Sequence, residues 1–231
     1  MADEKPAHTA PRRAHVLPNP DELAQDRAAA LNMMPVSRET SERLDRFTAL
    51  LLETQQHTNL VATSTLAHVW TRHILDSLQL LRLAPEARIW VDLGAGAGFP
   101  GLVIACALAQ TPGAMVHLVE STQKKCRFLT EAIRLMDVPA VVHCQRIEEF
   151  APQFTGRVDV VTARALAPLD KLLGLAAPLL QSGALGLFPK GQDVAVELTA
   201  ASKCWKIEAA IESSVTSPVS GIVVVRKLER R

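Results

Sequence analysis

Four glycines crowd into eight residues, at Gly94, Gly96, Gly98 and Gly101. The run Ile89-Trp90-Val91 before them reads as a buried strand, and Leu102–Ala109 after them reads as a helix. A glycine-rich turn between a strand and a helix lets the backbone approach a ligand closely and turns the helix's first N–H groups toward it. Two carboxylates frame the turn. Asp92 lies two residues before the first glycine, and Glu120 ends the next apolar run, Val116-His117-Leu118-Val119. A carboxylate at that strand end can accept both hydroxyls of a ribose.

The spacing narrows the ligand. A nicotinamide fingerprint, GxGxxG, needs glycine at position 99, which is Phe99; the pattern here is GxGxG. No Lys-Ser/Thr pair follows the glycines, which excludes a Walker-type phosphate loop. Asp92 would repel a pyrophosphate but favour a ligand carrying a sulfonium and an ammonium. These features together point to S-adenosylmethionine as the cofactor.

The elements that must position this loop are legible along the chain. Residues 1–36 hold five of the 14 prolines and read as a flexible tail with a short helix around Asp21–Leu31. In that tail Arg12-Arg13 is either a phosphate contact or part of a solvated segment. Ser37 is an N-cap for an amphipathic helix over 38–56. Leu66, Val69, Trp70, Ile74, Leu78 and Leu81 trace the apolar face of a second helix, which Pro85 ends. Residues 37–85 thus form a small helical cap, and 86–231 the main domain.

From Arg88 onward, strands and helices alternate. Strands are expected at 116–119, 141–144, 158–161 and 184–188, with helices at 123–136 and 169–180. Trp205–Ala210 and Ile222–Leu228 read as strands that pair antiparallel at the sheet edge. The fold class is therefore α/β: a doubly wound, Rossmann-like sheet, mostly parallel, with an antiparallel C-terminal edge and the N-terminal helices beside it.

Bulk properties bound the function. The net charge of +1 is low for a free-standing nucleic-acid binder, so any such role rests on a local patch. Cys106, Cys126, Cys144 and Cys204 form neither a CxxC pair nor a zinc-ligand spacing. They read as reduced structural thiols, and no metal is expected. No apolar run is long enough to span a bilayer, and the N-terminus lacks a signal or transit pattern. A cytoplasmic monomer is the expectation.

The stretch Asp92-Leu-Gly-Ala-Gly-Ala-Gly-Phe-Pro-Gly101 resembles the cofactor loop of the bacterial 16S rRNA guanine-N7 methyltransferases, the RsmG family, once called glucose-inhibited division protein B. Asn59-Leu60 and Trp70-Thr-Arg-His-Ile-Leu-Asp-Ser-Leu78 are similar to the family's second signature. Glu120-Ser121, Lys124-Lys125-Cys126-Arg127, Arg146-Ile147-Glu148-Glu149-Phe150, Ala163-Arg164-Ala165 and Lys190-Gly191 follow in the family's order. The resemblance covers about residues 40–228. One departure is visible: where the family often has Trp-Asn, this chain has Thr54-Gln55.

The resemblance implies cofactor contacts from Gly94, Phe99, Ile147, Glu148 and Arg164, beside Gly96 and Glu120 from the loop reading. It implies methyl transfer from S-adenosylmethionine to N7 of a guanine in 16S ribosomal RNA, with that RNA or the small ribosomal subunit as partner. The residues agree with this acceptor. The Asn/Asp-Pro-Pro-aromatic segment of exocyclic-amine methyltransferases is replaced by Thr162-Ala163-Arg164-Ala165, and no cysteine sits at a turn suited to nucleophilic attack on a pyrimidine. Guanine N7 is already nucleophilic and loses no proton, so no general base is needed; Arg164 is the expected positioning residue. Lys124, Arg127 and Lys190, with Arg72 and His73 from the second helix, are candidates for RNA contact. Arg72 and Asp76, at i,i+4, are expected to pair on that helix. Two alternatives stand: a methyltransferase acting on a small molecule or a protein, and a cofactor-binding ribosome-assembly factor without turnover.

Overall fold

A computed structural model of the chain describes residues 17–231. Arg12-Arg13 lies outside them.

The N-terminal layer opens with α1 (Pro20–Met33) and α2 (Arg38–Gln55). The side chains of Asn19 and Ser37 accept from the backbone N–H groups of Asp21 and Thr40, capping the two helices. α1 is the short helix expected around Asp21–Leu31. α1 packs inward through Ala30 and the buried carboxylate of Asp26. That carboxylate accepts from Trp70 N at 2.8 Å and from the Thr71 hydroxyl at 2.5 Å.

The second helix of the sequence reading is not one regular helix. Thr63–His68 is a 3-10 turn, Trp70–Leu75 a π-helical turn, α3 (Asp76–Leu78) a short α-helical turn, and Gln79–Arg82 again 3-10. The expected apolar face survives, since Leu66, Val69, Trp70, Ile74 and Leu78 are all buried. What the pattern does not show is the hydrogen bonding. Asp26 takes Trp70 N, and Ser77 Oγ donates to His73 O at 2.6 Å. A π turn inside a helical stretch is frequent at functional sites.

The remainder runs β1 (Ile89–Leu93), α4 (Gly101–Ala107), β2 (Met115–Glu120), α5 (Gln123–Met136), β3 (Ala140–Cys144) and α6 (Ile147–Gln153). It continues with β4 (Val160–Thr162), α7 (Leu169–Gln181), β5 (Leu185–Lys190), α8 (Val194–Ala201), β6 (Trp205–Ser213) and β7 (Gly221–Arg230). The seven strands are ordered β3-β2-β1-β4-β5-β7-β6. β1 to β5 are parallel, and β7 pairs antiparallel with both β5 and β6.

Both faces of this sheet are covered, so its strands sort apolar residues between two cores. Trp90, Val160, Leu187 and Val224 face the layer of α1, α2, α4 and α5. Their neighbours Val91, Val161, Phe188 and Val225 face the layer of α6, α7 and α8. This is period-two alternation with both sides buried. α6 and α8 are absent from the sequence reading. α6 is seven residues long and contains Pro152, and α8 (VAVELTAA) spreads β-branched residues around its axis. Neither offers the sustained 3.6-residue period that marks a helix.

The strand order reverses between β1, followed by β2 and β3 on one side, and β4 on the other. Loops at the carboxyl ends of these strands meet at that switch point, where doubly wound sheets hold ligands. Among the described residues, no helix is long and apolar enough to cross a membrane, and no group of three His, Cys, Asp or Glu is placed to hold a metal ion.

Candidate functional site

Two cavities open at the switch point. The larger, about 430 Å³, lies over the carboxyl ends of β1 and β2 and is bounded by the glycine loop. The smaller, about 250 Å³, lies between the π turn, the end of β5 and the approach to β7. They share Arg164 and Ala165.

Glu120 organises the larger cavity. Its Oε2 accepts from Gly96 N at 3.0 Å and its Oε1 from Thr122 N at 2.7 Å. The carboxylate therefore holds the glycine loop and the following turn at once. A carboxylate offers about four lone-pair directions, so roughly two remain for hydroxyls of a ligand. Gly96 has φ +57°, and a methyl group built on it would meet only Gly94 O, at 3.7 Å. The space beyond it is the cavity itself, a cradle that any side chain at position 96 would fill. The floor is completed by Ile147 and Glu148 at the start of α6, which follows β3.

Asp92 behaves differently from the sequence reading. It shares Trp90's face of β1, beneath α4, and is fully buried. Its Oδ2 accepts from Gly101 N at 2.9 Å, and Oδ1 is left without a partner. It does not line the cavity, so its carboxylate is not laid directly against a bound cation. It ties the far end of the loop to the strand. Burial pushes its carboxyl up to about 7, opposed by the Gly101 N–H bond. Gly101 is glycine for space: a methyl group there would strike the Leu118 side chain and come within 2.7 Å of Asp92 Oδ2.

The N-terminal layer closes the cavity from above. Leu60 and Val61 line it. Both are held by Gln55, which is fully buried. Gln55 Oε1 accepts from Leu60 N and Val61 N at 2.9 and 3.1 Å, and its Nε2 donates to Val61 O at 2.9 Å. The amide at the position that departs from the family pattern is therefore a clasp for this edge.

Phe99 joins the layers. Its ring packs on Phe47 at 5.2 Å and stacks on His73 at 4.9 Å and 24°. The Arg164 guanidinium lies 5.2 Å from the same ring. Arg164 is further held by Asp76, with Nη1–Oδ2 at 3.5 Å, and by Arg72 O at 3.3 Å. Ala165, beside it, has φ +52°. A non-glycine residue in that region is uncommon, and such strain gathers where loops carry function.

His73 Nε2 is 2.8 Å from Thr65 Oγ1, and its buried Nδ1 has no partner. Burial, helped by the charges of Arg164 and Arg72, pulls His73 down to about 3. The ring is neutral at physiological pH and a weak base.

Gly94, Gly96, Phe99, Glu120, Ile147, Glu148 and Arg164, all expected at the cofactor, line the larger cavity, whereas Asp92 does not. Lys125, Gln145 and Ser121 line it too and were missed. Arg72, His73 and Lys190 line the smaller cavity. Lys124 is exposed and lines neither, and Arg127 borders a separate depression on α5. The expected Arg72–Asp76 pair gives way to a longer-range network. Asp76 turns instead to Arg164, to Gln79 Nε2 at 2.8 Å and to the Thr216 hydroxyl at 3.0 Å.

A family model described as "rRNA small subunit methyltransferase G" (GidB) matches residues 40–224. The chain belongs to the rRNA small subunit methyltransferase G family. A relative from Bradyrhizobium sp. (strain ORS 278) bearing that name is 61% identical over 211 residues, covering 91% of this chain and 95% of its own length. Another, from Rhodopseudomonas palustris (strain BisB18), is 51% identical and covers 94% and 93%. The fold recurs in distant structures. A putative O-methyltransferase from Klebsiella pneumoniae has TM-score 0.55 at 12% identity, covering 88% of this chain and 96% of that one. M. jannaschii TYW2 in complex with AdoMet has TM-score 0.51 at 16% identity, covering 69% and 76%. The family match begins at residue 40, beyond α1, yet α1 supplies the Asp26 carboxylate that fixes the start of the π turn.

Proposed function

We propose that this protein transfers a methyl group from S-adenosylmethionine to N7 of a guanine in small-subunit ribosomal RNA. The observation that carries the reading is the pair of cavities meeting at Arg164: one built for a nucleoside-type cofactor, the other open beside it for a base. The family name carried by its relatives supplies the class of RNA. Cells make such RNA in the cytoplasm, which is where the protein is expected to act, as a monomer.

The larger cavity fits the cofactor on its own terms. Glu120 keeps acceptor capacity for ribose hydroxyls while its other lone pairs hold the loop. Ile147 offers an apolar surface for a purine ring, and Glu148 a carboxylate at its edge. When bound, the cofactor supplies an electrophilic methyl group whose transfer carries one positive charge onto the acceptor ring. Arg164, pinned by Asp76, Arg72 O and the Phe99 ring, is held where the two ligands would meet and orients the acceptor. Orientation of this kind is the main task when the acceptor atom is already nucleophilic.

No proton leaves N7, and the residues match that economy. His73, the imidazole beside Arg164, is kept neutral and weakly basic by its burial. Leu60, Val61 and Phe99 exclude water from the cofactor side. Arg72 and Lys190 border the smaller cavity and are placed to meet RNA around the target base, whereas Lys124 and Arg127 on α5 would meet flanking phosphates.

The test is transfer of labelled methyl groups to small subunits isolated from cells lacking the gene. Label recovered as 7-methylguanosine is expected; no label, or label in another nucleoside, overturns the reading.

A further inference from the structure

The wall of the smaller cavity at the end of β5 carries an ion pair whose carboxylate the proposed reaction does not use. Lys190 ends β5 and Glu197 lies on α8, with Nζ–Oε2 at 2.7 Å. Lys190 Nζ also donates to Ala167 O at 2.9 Å, and Glu197 Oε2 accepts from Leu169 N at 2.7 Å. The pair is thus fixed by the backbone of the segment that runs on from Arg164 and Ala165. Its side chains are only 11% and 29% exposed, and both line the cavity. Glu197 Oε1 takes part in none of these bonds.

A phosphate is a poor match for this wall, because any anion reaching Lys190 meets the Glu197 carboxylate beside it. The wall instead offers a cationic donor next to an anionic acceptor. The Watson–Crick edge of guanine presents the complement: O6 accepts, and N1–H and the N2 amino group donate. Adenine presents the reverse, a donating N6 amino group beside an accepting N1. We propose that Lys190 and Glu197 read the acceptor base as guanine, with Lys190 donating to O6 and Glu197 accepting from N1–H and N2–H. N7 lies next to O6, on the edge beyond Lys190, and makes none of these bonds, so a base gripped in this way keeps N7 free to accept the methyl group. This inference rests on the smaller cavity being the acceptor site. A carboxylate that must meet two donors disfavours the wrong base, because a mismatch leaves a partly covered charge facing an acceptor.

The test measures binding of GMP, IMP and AMP by NMR to the full chain saturated with S-adenosylhomocysteine, for wild type, Glu197→Gln and Lys190→Met. Glutamine keeps an oxygen for Leu169 N, so the loop should hold; unchanged S-adenosylhomocysteine affinity reports that it does. Wild type should prefer GMP over AMP by roughly tenfold, with IMP, which lacks the N2 amino group, between them. Glu197→Gln should erase the preference, and Lys190→Met should weaken GMP and IMP alike. Equal or undetectable binding of GMP and AMP to wild type, or a preference that survives in Glu197→Gln, overturns the assignment. Methylation of small subunits by the wild type separates the two readings. If wild type methylates guanine while Glu197→Gln works at the same rate, the base reader falls alone. If wild type does not methylate yet shows the Glu197-dependent preference, the proposed reaction falls and the base reader stands.

Discussion

Arg164, in the loop after β4, reaches back to Asp76 of α3, with Nη1 and Oδ2 3.5 Å apart. The contact joins the parallel sheet to the N-terminal layer at the boundary of the two cavities. Both side chains are largely covered, 18% and 16% exposed, so the guanidinium depends on this partner more than a surface arginine would.

Replacing Asp76 by Asn should therefore disturb the acceptor side first. Methyl transfer should fall about tenfold to a hundredfold, while cofactor affinity changes less than threefold; one lost, partly buried charge contact is worth about 1–3 kcal/mol. Arg164→Ala should lose more turnover than Asp76→Asn. Isothermal titration with S-adenosylmethionine and a filter-binding methylation assay separate the two effects. Wild-type turnover in Arg164→Ala contradicts the positioning role.

Gly96 and Gly101 should respond to alanine in opposite ways. At Gly96 the methyl group enters the cavity, and φ +57° adds a strain of about 1–2 kcal/mol. Cofactor binding should drop by at least an order of magnitude with the fold intact. At Gly101 the methyl group strikes Leu118 and Asp92 inside the core. That variant should lose stability by about 1–3 kcal/mol as an overpacked site. Thermal melts and cofactor titration of the two proteins check the contrast.

Asp92 and His73 give stability opposite slopes with pH. Asp92 is held at about 7 when folded, against an ordinary 3.8. The folded state then binds the extra proton between those values, so this group lowers stability as pH rises from about 4 to 7. His73 is held at about 3 when folded, against 6.5. The unfolded state binds the proton there, so stability falls as pH drops below 6.5 toward 3. Asp92→Asn, which can still accept from Gly101 N, should gain stability relative to wild type at pH 8 compared with pH 4. The difference should be on the order of a few kcal/mol. Urea denaturation at the two pH values measures it; a difference near zero or of opposite sign contradicts the burial argument.

Gln55→Ala should open the upper edge of the cofactor cavity. It strips three bonds from Leu60 and Val61. Unpaired buried backbone groups cost about 1–3 kcal/mol each when water cannot reach them. We expect a lower melting temperature and weaker cofactor binding, with Gln55→Asn restoring part of both. Equal cofactor affinity in Gln55→Ala would show that Leu60 and Val61 need no clasp.

What the sequence made legible was contiguous. The GxGxG turn, Glu120 and the strand–helix alternation all follow from residues close together in the chain, and the structure builds the cavity from them. Asp92 was misjudged although its direction was readable in principle: strand alternation places it on the face of Trp90, toward α4, and away from that of Val91 and Leu93. The Arg72–Asp76 pairing failed for a different reason. Helical spacing brings the two within reach, but Arg164 and Thr216 compete for Asp76 from 88 and 140 residues away. Glu197 and Gln55 carried no local signal at all. Their roles exist only once α8 packs on α7 and brings Glu197 to Lys190 at the end of β5, and α2 folds against the loop at 60–61.

Methylation of guanine N7 in small-subunit ribosomal RNA leaves a chemically cleavable mark. Borohydride–aniline cleavage breaks RNA at 7-methylguanosine, so 16S ribosomal RNA from cells with and without this gene tests it directly. One cleavage site should disappear on deletion, return with the wild-type gene, and not return with Arg164→Ala. An identical cleavage pattern with and without the gene would contradict it.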